Sequence, residues 1–215
     1  MNTLFNPENR FWSFMNKITD VFFLGILWFL FSVPVVTMGA ATTSLYQFTL
    51  KQTDDEEGYV WKSFVKAFAK NFKQATILWL ILLAAGGFLG ADLWACMQIA
   101  VPGGIRVVCL GVILCLCLIY ALTALYVFPI LSRFCLPVKT ILTHSFIMAM
   151  GNLYVSVTVL VIYVLFGVLA YYITILFPVF MALAAFVSSY FFRHVFSRYW
   201  EETAKAEQEE EDSFS

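Results

Sequence analysis

The sequence predicts an all-α bundle of membrane-spanning helices, on the strength of its composition, its apolar runs and the segregation of its charges. Of the 215 residues, 61% are hydrophobic, 18% aromatic and only 13% charged, whereas soluble domains carry about 25% charged residues. Several apolar runs approach the roughly 20 residues that a helix needs to cross a bilayer. We therefore expect a single helical domain over residues 1–200, multi-pass in the cell membrane, and an acidic, disordered cytoplasmic tail over residues 201–215.

The first span is predicted at residues 21–36, after an amphipathic segment at residues 2–20. No small-residue cleavage site follows this run, so we expect it to be retained. Pro34, Thr37 and Gly39 then predict a break or reversal of the chain. Proline lacks a backbone N–H, and glycine can adopt positive φ.

Residues 38–52 form the ambiguous segment on which the topology depends. As a helix this segment is about 22 Å long, shorter than the roughly 30 Å hydrocarbon core. It would span lipid poorly on its own. Small side chains nevertheless allow close helix packing, so it could cross as the inner member of a hairpin. The expected packing residues are Ala40, Ala41, Thr42, Thr43 and Ser44.

Residues 59–73 have the pattern of an amphipathic helix that lies in the headgroup region. At about 100° per residue, Lys62, Lys66 and Lys70 share one sector, and aromatic side chains occupy the opposite one. The segment is either an interfacial connector or a docking helix for a cytoplasmic partner. The candidate docking residues are Trp61, Lys62, Phe64, Lys66, Phe68, Lys70, Asn71 and Phe72.

The rest of the chain predicts four further spans and one short helix. In order, these are a span at 74–96, a span at 105–129, the short helix at 140–150, and a last hairpin at 153–177 and 179–192 that is broken at Pro178.

The basic residues predict the orientation. Lysines and arginines lie in residues 51–73, 133–139 and 193–198, and cytoplasmic loops are enriched in these residues. Six crossings place these segments, Arg10 and Lys17 inside, with both termini in the cytoplasm. Five crossings would leave Arg10 and Lys17 outside. We favour six crossings, and five remain possible.

No pattern of catalytic chemistry is apparent. The sequence has no nucleotide-binding loop, no zinc-protease motif and no serine-hydrolase motif, and it has no basic arm for nucleic acid. The five cysteines fit small hydrophobic side chains better than metal ligands. We therefore expect no enzyme activity and no cofactor.

Asp92 is the candidate polar site, because an acid within a span often marks a substrate or ion path. Near the outer end of its span, it could equally reach water or cap the helix.

Two stretches carry a resemblance to a known family. WFLFSVPVVTMGAATTSLYQFTLK, from Trp28, and EEGYVWKSFVKAFAKNFKQATILW, from Glu56, resemble the YesL family of bacterial integral membrane proteins. The P-V-V-T-M-G-A-A run from Pro34 is the more specific part, and Asn71-Phe72 matches the family's N-F step. The resemblance implies a Gram-positive membrane protein of a family often encoded beside sugar-importing ABC transporters. It transfers no catalytic or ligand-binding residue.

Three classes of function follow. We favour a non-enzymatic accessory protein of a carbohydrate ABC import system, which binds the permease in the bilayer and, through it, an ATPase and a solute-binding protein. The alternatives are a small stand-alone transporter or channel, with Asp92 and residues 42–44 lining a path, and a membrane scaffold or sensor. No E-A-A-x-x-x-G loop is present, which weighs against a permease, and no internal repeat is evident, which weighs against an ion-coupled transporter.

Overall fold

The computed structural model describes residues 10–54, 58–98, 103–134 and 136–214 of the backbone. Within these ranges every regular element is helical: seven α-helices and two short 3₁₀ turns. The helices are α1 (Arg10–Ser32), α2 (Met38–Thr53), α3 (Val60–Gln98), α4 (Gly103–Arg133), α5 (Val138–Gly151), α6 (Leu153–Tyr172) and α7 (Phe177–Phe214), and the 3₁₀ turns are Val35–Thr37 and Thr174–Leu176.

Among the residues that the structure describes, five segments are long and apolar enough to cross a membrane, so the chain is a multi-pass membrane protein. They are Met15–Ser32, Val60–Gln98, Gly104–Arg133, Leu153–Tyr172 and Thr174–Tyr199. Helix α2, with 16 residues, is not among them. The sixth crossing therefore stays a prediction.

The predicted break after the first span is confirmed, but Gly39 lies in the following helix rather than in the turn. Helix α1 ends at Ser32, and the Thr37 hydroxyl donates to the carbonyls of Phe31 at 2.6 Å and of Pro34 at 2.7 Å. The assignment of Gly39 to the turn is wrong, because Gly39 is the second residue of α2. A Cβ atom at Gly39 would lie 2.6 Å from the Cβ of Trp79, so this glycine allows α2 to approach α3.

Helix α2 lies at the centre of the bundle and runs antiparallel to both α1 and α3. The Trp28 indole donates to the Thr42 hydroxyl at 3.1 Å on one side, and Gly39 packs against Trp79 on the other. Twelve of its 16 residues are buried. Protein rather than lipid therefore surrounds this helix, which explains how it tolerates threonine, serine and glutamine side chains.

The end predicted at residue 73 for the amphipathic helix is wrong, and its interfacial position stays a prediction. Helix α3 runs without interruption for 39 residues, about 58 Å at 1.5 Å per residue. Between Val60 and Ala85 the sequence has no glycine or proline to break it. The aromatic side of its first half packs on α1, with ring centroids of Phe31 lying 5.4 Å from Phe64 and 5.0 Å from Phe68.

Residues 83–98 of α3 and 104–119 of α4 form a two-helix hairpin, which we call the arm. Among its described side chains only Cys96 is buried. At its base the Tyr120 hydroxyl donates to the Leu82 carbonyl at 2.7 Å and packs on Gly86. At its tip Arg106 donates to the Met97 carbonyl at 2.7 Å.

Helices α6 and α7 form the last hairpin, and α7 packs on α1. Pro178 is the second residue of α7, where its missing N–H has no helical partner to lose. A Cβ atom at Gly25 would lie 2.7 Å from the Pro178 carbonyl oxygen, so these helices approach closely. Helix α7 continues through residues 201–214, where composition predicts disorder. Alanine, glutamate, glutamine and lysine dominate that stretch, and all favour helix.

Candidate functional site

Basic residues from five helices gather at one end of the bundle. The Lys17 ammonium of α1 donates to the Gln52 carbonyl of α2 at 3.4 Å. Arg133 of α4 and Arg193 of α7 meet Asp54 at the end of α2. Segments that are far apart in sequence thus place their charges on the same side, as a common cytoplasmic location would require.

Asp54 ties α2 to two other helices at this end. Arg133 Nη1 lies 2.9 Å from Asp54 Oδ2, and Arg193 Nε lies 2.9 Å from Asp54 Oδ1. Arg193 also donates to the Thr53 carbonyl at 2.6 Å, an oxygen that the end of the helix leaves without an intrahelical partner. Both carboxylate oxygens of Asp54 are therefore engaged.

A hollow opens beside this cluster between α2 and the first half of α3. Its volume is about 320 Å³, and a neighbouring hollow of about 260 Å³ shares Gln47, Lys51 and Lys70 with it. We call the two together the basic cleft. Its lining residues are Gln47, Phe48, Leu50, Lys51, Asp54, Ser63, Lys66, Ala67, Lys70, Ser132 and Arg133.

The described lining residues of the basic cleft carry an excess of positive charge. Lys51, Lys66 and Lys70 are exposed and form no ion pair with any residue that the structure describes. The one carboxylate in the described lining, that of Asp54, is already shared between two guanidinium groups. A concave surface with unneutralised ammonium groups favours an anion.

Hydrogen bonds from amide side chains of α3 to neighbouring segments stabilise the wall of the cleft. Asn71 Nδ2 donates to Gln47 Oε1 at 3.2 Å, which joins α3 to α2. One turn further along α3, the Gln74 amide donates to the Leu136 carbonyl just before α5. These contacts fix the backbone that carries the lysines.

A second polar feature, missed by the sequence analysis, is a set of hydroxyl pairs inside the bundle. The Tyr46 and Tyr163 hydroxyls form a hydrogen bond with one another. The hydroxyls of Thr49 and Ser189 form a second hydrogen bond, of 2.8 Å. These pairs join α2 to α6 and α7. The adjacent serines at 188 and 189 lie within an otherwise apolar run. This pattern could have indicated hydroxyl contacts inside the bundle. The groups are neutral and fully paired, so we interpret them as fixing the register of α2.

The predicted packing residues lie inside the bundle. Ala40, Ala41, Thr43 and Ser44 are fully buried. The hydroxyls of Thr43 and Ser44 donate to carbonyls four residues earlier in α2. Thr42 is half-buried and receives the Trp28 indole bond described above.

The predicted docking residues divide into two groups. Phe64 is fully buried, so the docking role predicted for it is wrong. Phe68 is partly buried against Phe31, and its docking role stays a prediction. The reason is that the aromatic side of the helix faces protein. Trp61, Lys62, Lys66, Lys70 and Phe72 are exposed, and Asn71 is half-buried.

Asp92 lies apart from the predicted packing residues. It is a half-exposed residue of the arm, with no ion pair or hydrogen bond to another described residue. It is 13 residues beyond Trp79, the α3 residue that contacts Gly39, a separation of about 20 Å along a helix. The structure does not bring Asp92 and residues 42–44 together, which weighs against the alternative in which these residues line one path.

Within the described part of the chain, no three histidine, cysteine, aspartate or glutamate residues group closely enough to hold a metal ion. Cys96 is buried, and Cys109 and Cys115 are exposed on the arm. Cys135 lies outside the described residues.

Comparisons with known proteins find a matching family and a similar bacterial protein. Residues 21–93, from α1 into α3, match a family described as a protein of unknown function, DUF624. The chain is 28% identical over 156 residues to the uncharacterized protein YesL of Bacillus subtilis (strain 168), an alignment covering 71% of each protein. No solved structure matches. The matched stretch contains the Pro34 break, α2 and the lysine-bearing half of α3, and the chain is similar to this family and to YesL.

Proposed function

We propose that this chain is a non-enzymatic accessory protein of a carbohydrate ABC import system, and that it binds a permease subunit within the membrane through the arm. The resemblance to YesL-family proteins supports the class of transporter, because such proteins are often encoded beside sugar importers. The exposed arm supports the mode of binding and is the observation on which the proposal depends.

The arm has the properties of a helix-packing surface. Almost all of its described side chains are exposed or half-exposed. Cβ atoms at Gly87 and Gly90 would meet nothing within 4 Å, whereas Gly86 is already covered by Tyr120. Small residues at membrane helix interfaces let backbones approach closely, and this packing drives helix association in lipid. A transmembrane helix of the permease is the partner we propose for this side of the arm.

The proposal includes a topology of six crossings with both termini in the cytoplasm. Its support is that α2 runs antiparallel to α1 and α3 and is shielded from lipid by its neighbours. The basic end of the bundle then faces the cytoplasm, in keeping with the enrichment of lysine and arginine there. The arm tip is extracellular in this topology.

Photo-crosslinking from defined positions tests the proposal. A photoreactive amino acid at Trp94, which is 67% exposed and lies on the same side of α3 as Gly87 and Gly90, is expected to yield an adduct with a permease subunit in cells that express the transporter. The matched control is Val164 of α6, which is 59% exposed and is expected to yield lipid adducts alone. Permease adducts at neither position, or equally at both, would contradict binding through the arm.

Reconstitution of the purified chain into liposomes addresses the transporter alternative. The accessory function predicts no sugar or ion flux from this chain alone. Flux that Asp92→Asn abolishes would overturn it in favour of a stand-alone transporter.

A further inference from the structure

We propose that the basic cleft binds an anionic phospholipid, with the phosphate of the headgroup held between α2 and α3. The positive charge comes from Lys51 on α2 and from Lys66 and Lys70 on α3. Basic pockets between the helices of a membrane protein, on its cytoplasmic side, are suited to phosphate-bearing headgroups.

The geometry suits a single phosphate group. Lys66 and Lys70 are four residues apart, so their Cβ atoms lie about 5–6 Å from each other on one face of α3. Lys51 approaches the same hollow from α2, and Gln47 and Ser63 add neutral polar groups to the lining. Ammonium groups on flexible stems can converge on a phosphate as point charges.

The charge is available because nothing within the described chain neutralises it. None of the three lysines has a described carboxylate partner. Asp54, at the edge of the cleft, is held by Arg133 and Arg193, so no described carboxylate compensates the lysines. An external anion bound between the three ammonium groups would offset the repulsion among them.

The face of α3 that carries the lysines also explains why we propose a lipid rather than a soluble phosphate. At about 100° per residue, Ile77 and Leu80 continue the same face as Lys66 and Lys70. Both are 49% exposed. Lys70 and Ile77 are separated by about 10 Å along the helix axis. One molecule can therefore place its phosphate at the lysines and its acyl chains along the apolar residues that follow.

The test is lipid retention by the purified full-length protein. The protein is extracted in detergent containing equimolar phosphatidylglycerol and phosphatidylcholine, and bound lipids are measured by native mass spectrometry. We expect the unaltered chain to retain phosphatidylglycerol preferentially. In a Lys66→Gln/Lys70→Gln variant that preference should fall about tenfold, because two charges near the phosphate are lost.

Two variants separate a specific site from general charge. Lys62→Gln/Lys139→Gln removes the same charge from exposed lysines outside the cleft lining and should leave the preference unchanged. Lys66→Arg/Lys70→Arg keeps the charge and should keep most of the preference. An equal loss in the Lys62/Lys139 control would overturn the proposal.

A further experiment distinguishes binding of a lipid from binding of a free phosphate ester. Excess glycerol 1-phosphate should not displace phosphatidylglycerol if the acyl chains contribute, and Ile77→Ser/Leu80→Ser should weaken lipid retention while the lysines remain. Displacement by glycerol 1-phosphate with no effect of the serine substitutions would identify a site for a soluble anion and would overturn the lipid assignment.

Discussion

Asn71 and Gln47 share a hydrogen bond of 3.2 Å between their side-chain amides, which joins the lysine-bearing half of α3 to the buried helix α2. Gln47 lines both hollows of the basic cleft. The same bond therefore belongs to the packing of the bundle and to the wall of the candidate site. Changes in the core around α2 should consequently reach the cleft surface.

Substitution of Gly39 should destabilise the bundle. The Cβ atom of Gly39→Ala would lie 2.6 Å from the Trp79 Cβ and 2.7 Å from the Ala75 carbonyl oxygen, so the helices must separate. Overpacking of this kind costs about 1–3 kcal/mol, measurable as a lower midpoint of thermal unfolding in detergent. Gly87→Ala is the matched control, because open space surrounds that glycine. Equal midpoints for the two variants would contradict the close contact.

Removing the charge of Asp54 should loosen the basic end of the bundle. Asp54→Asn weakens the contacts to Arg133 and Arg193, which are partly exposed. We expect a loss of about 1–2 kcal/mol in unfolding free energy. The loss should shrink at high salt, where exposed charges are screened. Asp92→Asn, which removes a carboxylate without a described partner, should change stability little. A salt-independent difference would argue against an electrostatic cause.

The Tyr46–Tyr163 pair should behave as a coupled unit. Either single change to phenylalanine leaves the other hydroxyl buried without this partner, at a cost of about 1–3 kcal/mol. The double variant should lose less than the sum of the two single losses. A double-mutant cycle on unfolding midpoints measures the coupling, and strict additivity would show that the hydroxyls do not interact.

Cysteine labelling in intact cells distinguishes six crossings from five. In a background with the five native cysteines replaced by serine, Thr174→Cys should react with an impermeant reagent, and Lys139→Cys should be shielded. With six crossings Thr3→Cys is shielded as well. Labelling at position 3, with Lys139→Cys still protected, would establish five.

The sequence predicted the helical class, the break at Pro34 and most helix positions because these depend on local chemistry. A proline removes an intrahelical hydrogen bond from the interior of a helix, which favours a kink or a break there. Apolar runs of membrane length need long helices to satisfy their backbone groups. Such features do not require knowledge of which helix lies next to which.

The roles of Phe64 and Gly39 could not be obtained in this way. An amphipathic pattern shows that Phe64 avoids water, but lipid and a neighbouring helix satisfy it equally, and here α1 is the neighbour. Gly39 follows a proline turn, so positive φ was a reasonable prediction, yet its role depends on Trp79, 40 residues later. Similarly, only the assembled bundle brings Lys51 beside Lys66.

The central position of α2 has a consequence for how the protein is made. Ribosomes deliver α2 second, whereas α7, whose Ser189 bonds Thr49, is delivered last. During synthesis the hydroxyl group of α2 that contacts α7 therefore lacks this partner until α7 has been made. Nascent chains cut short before α7 should consequently be targets for membrane quality-control proteases.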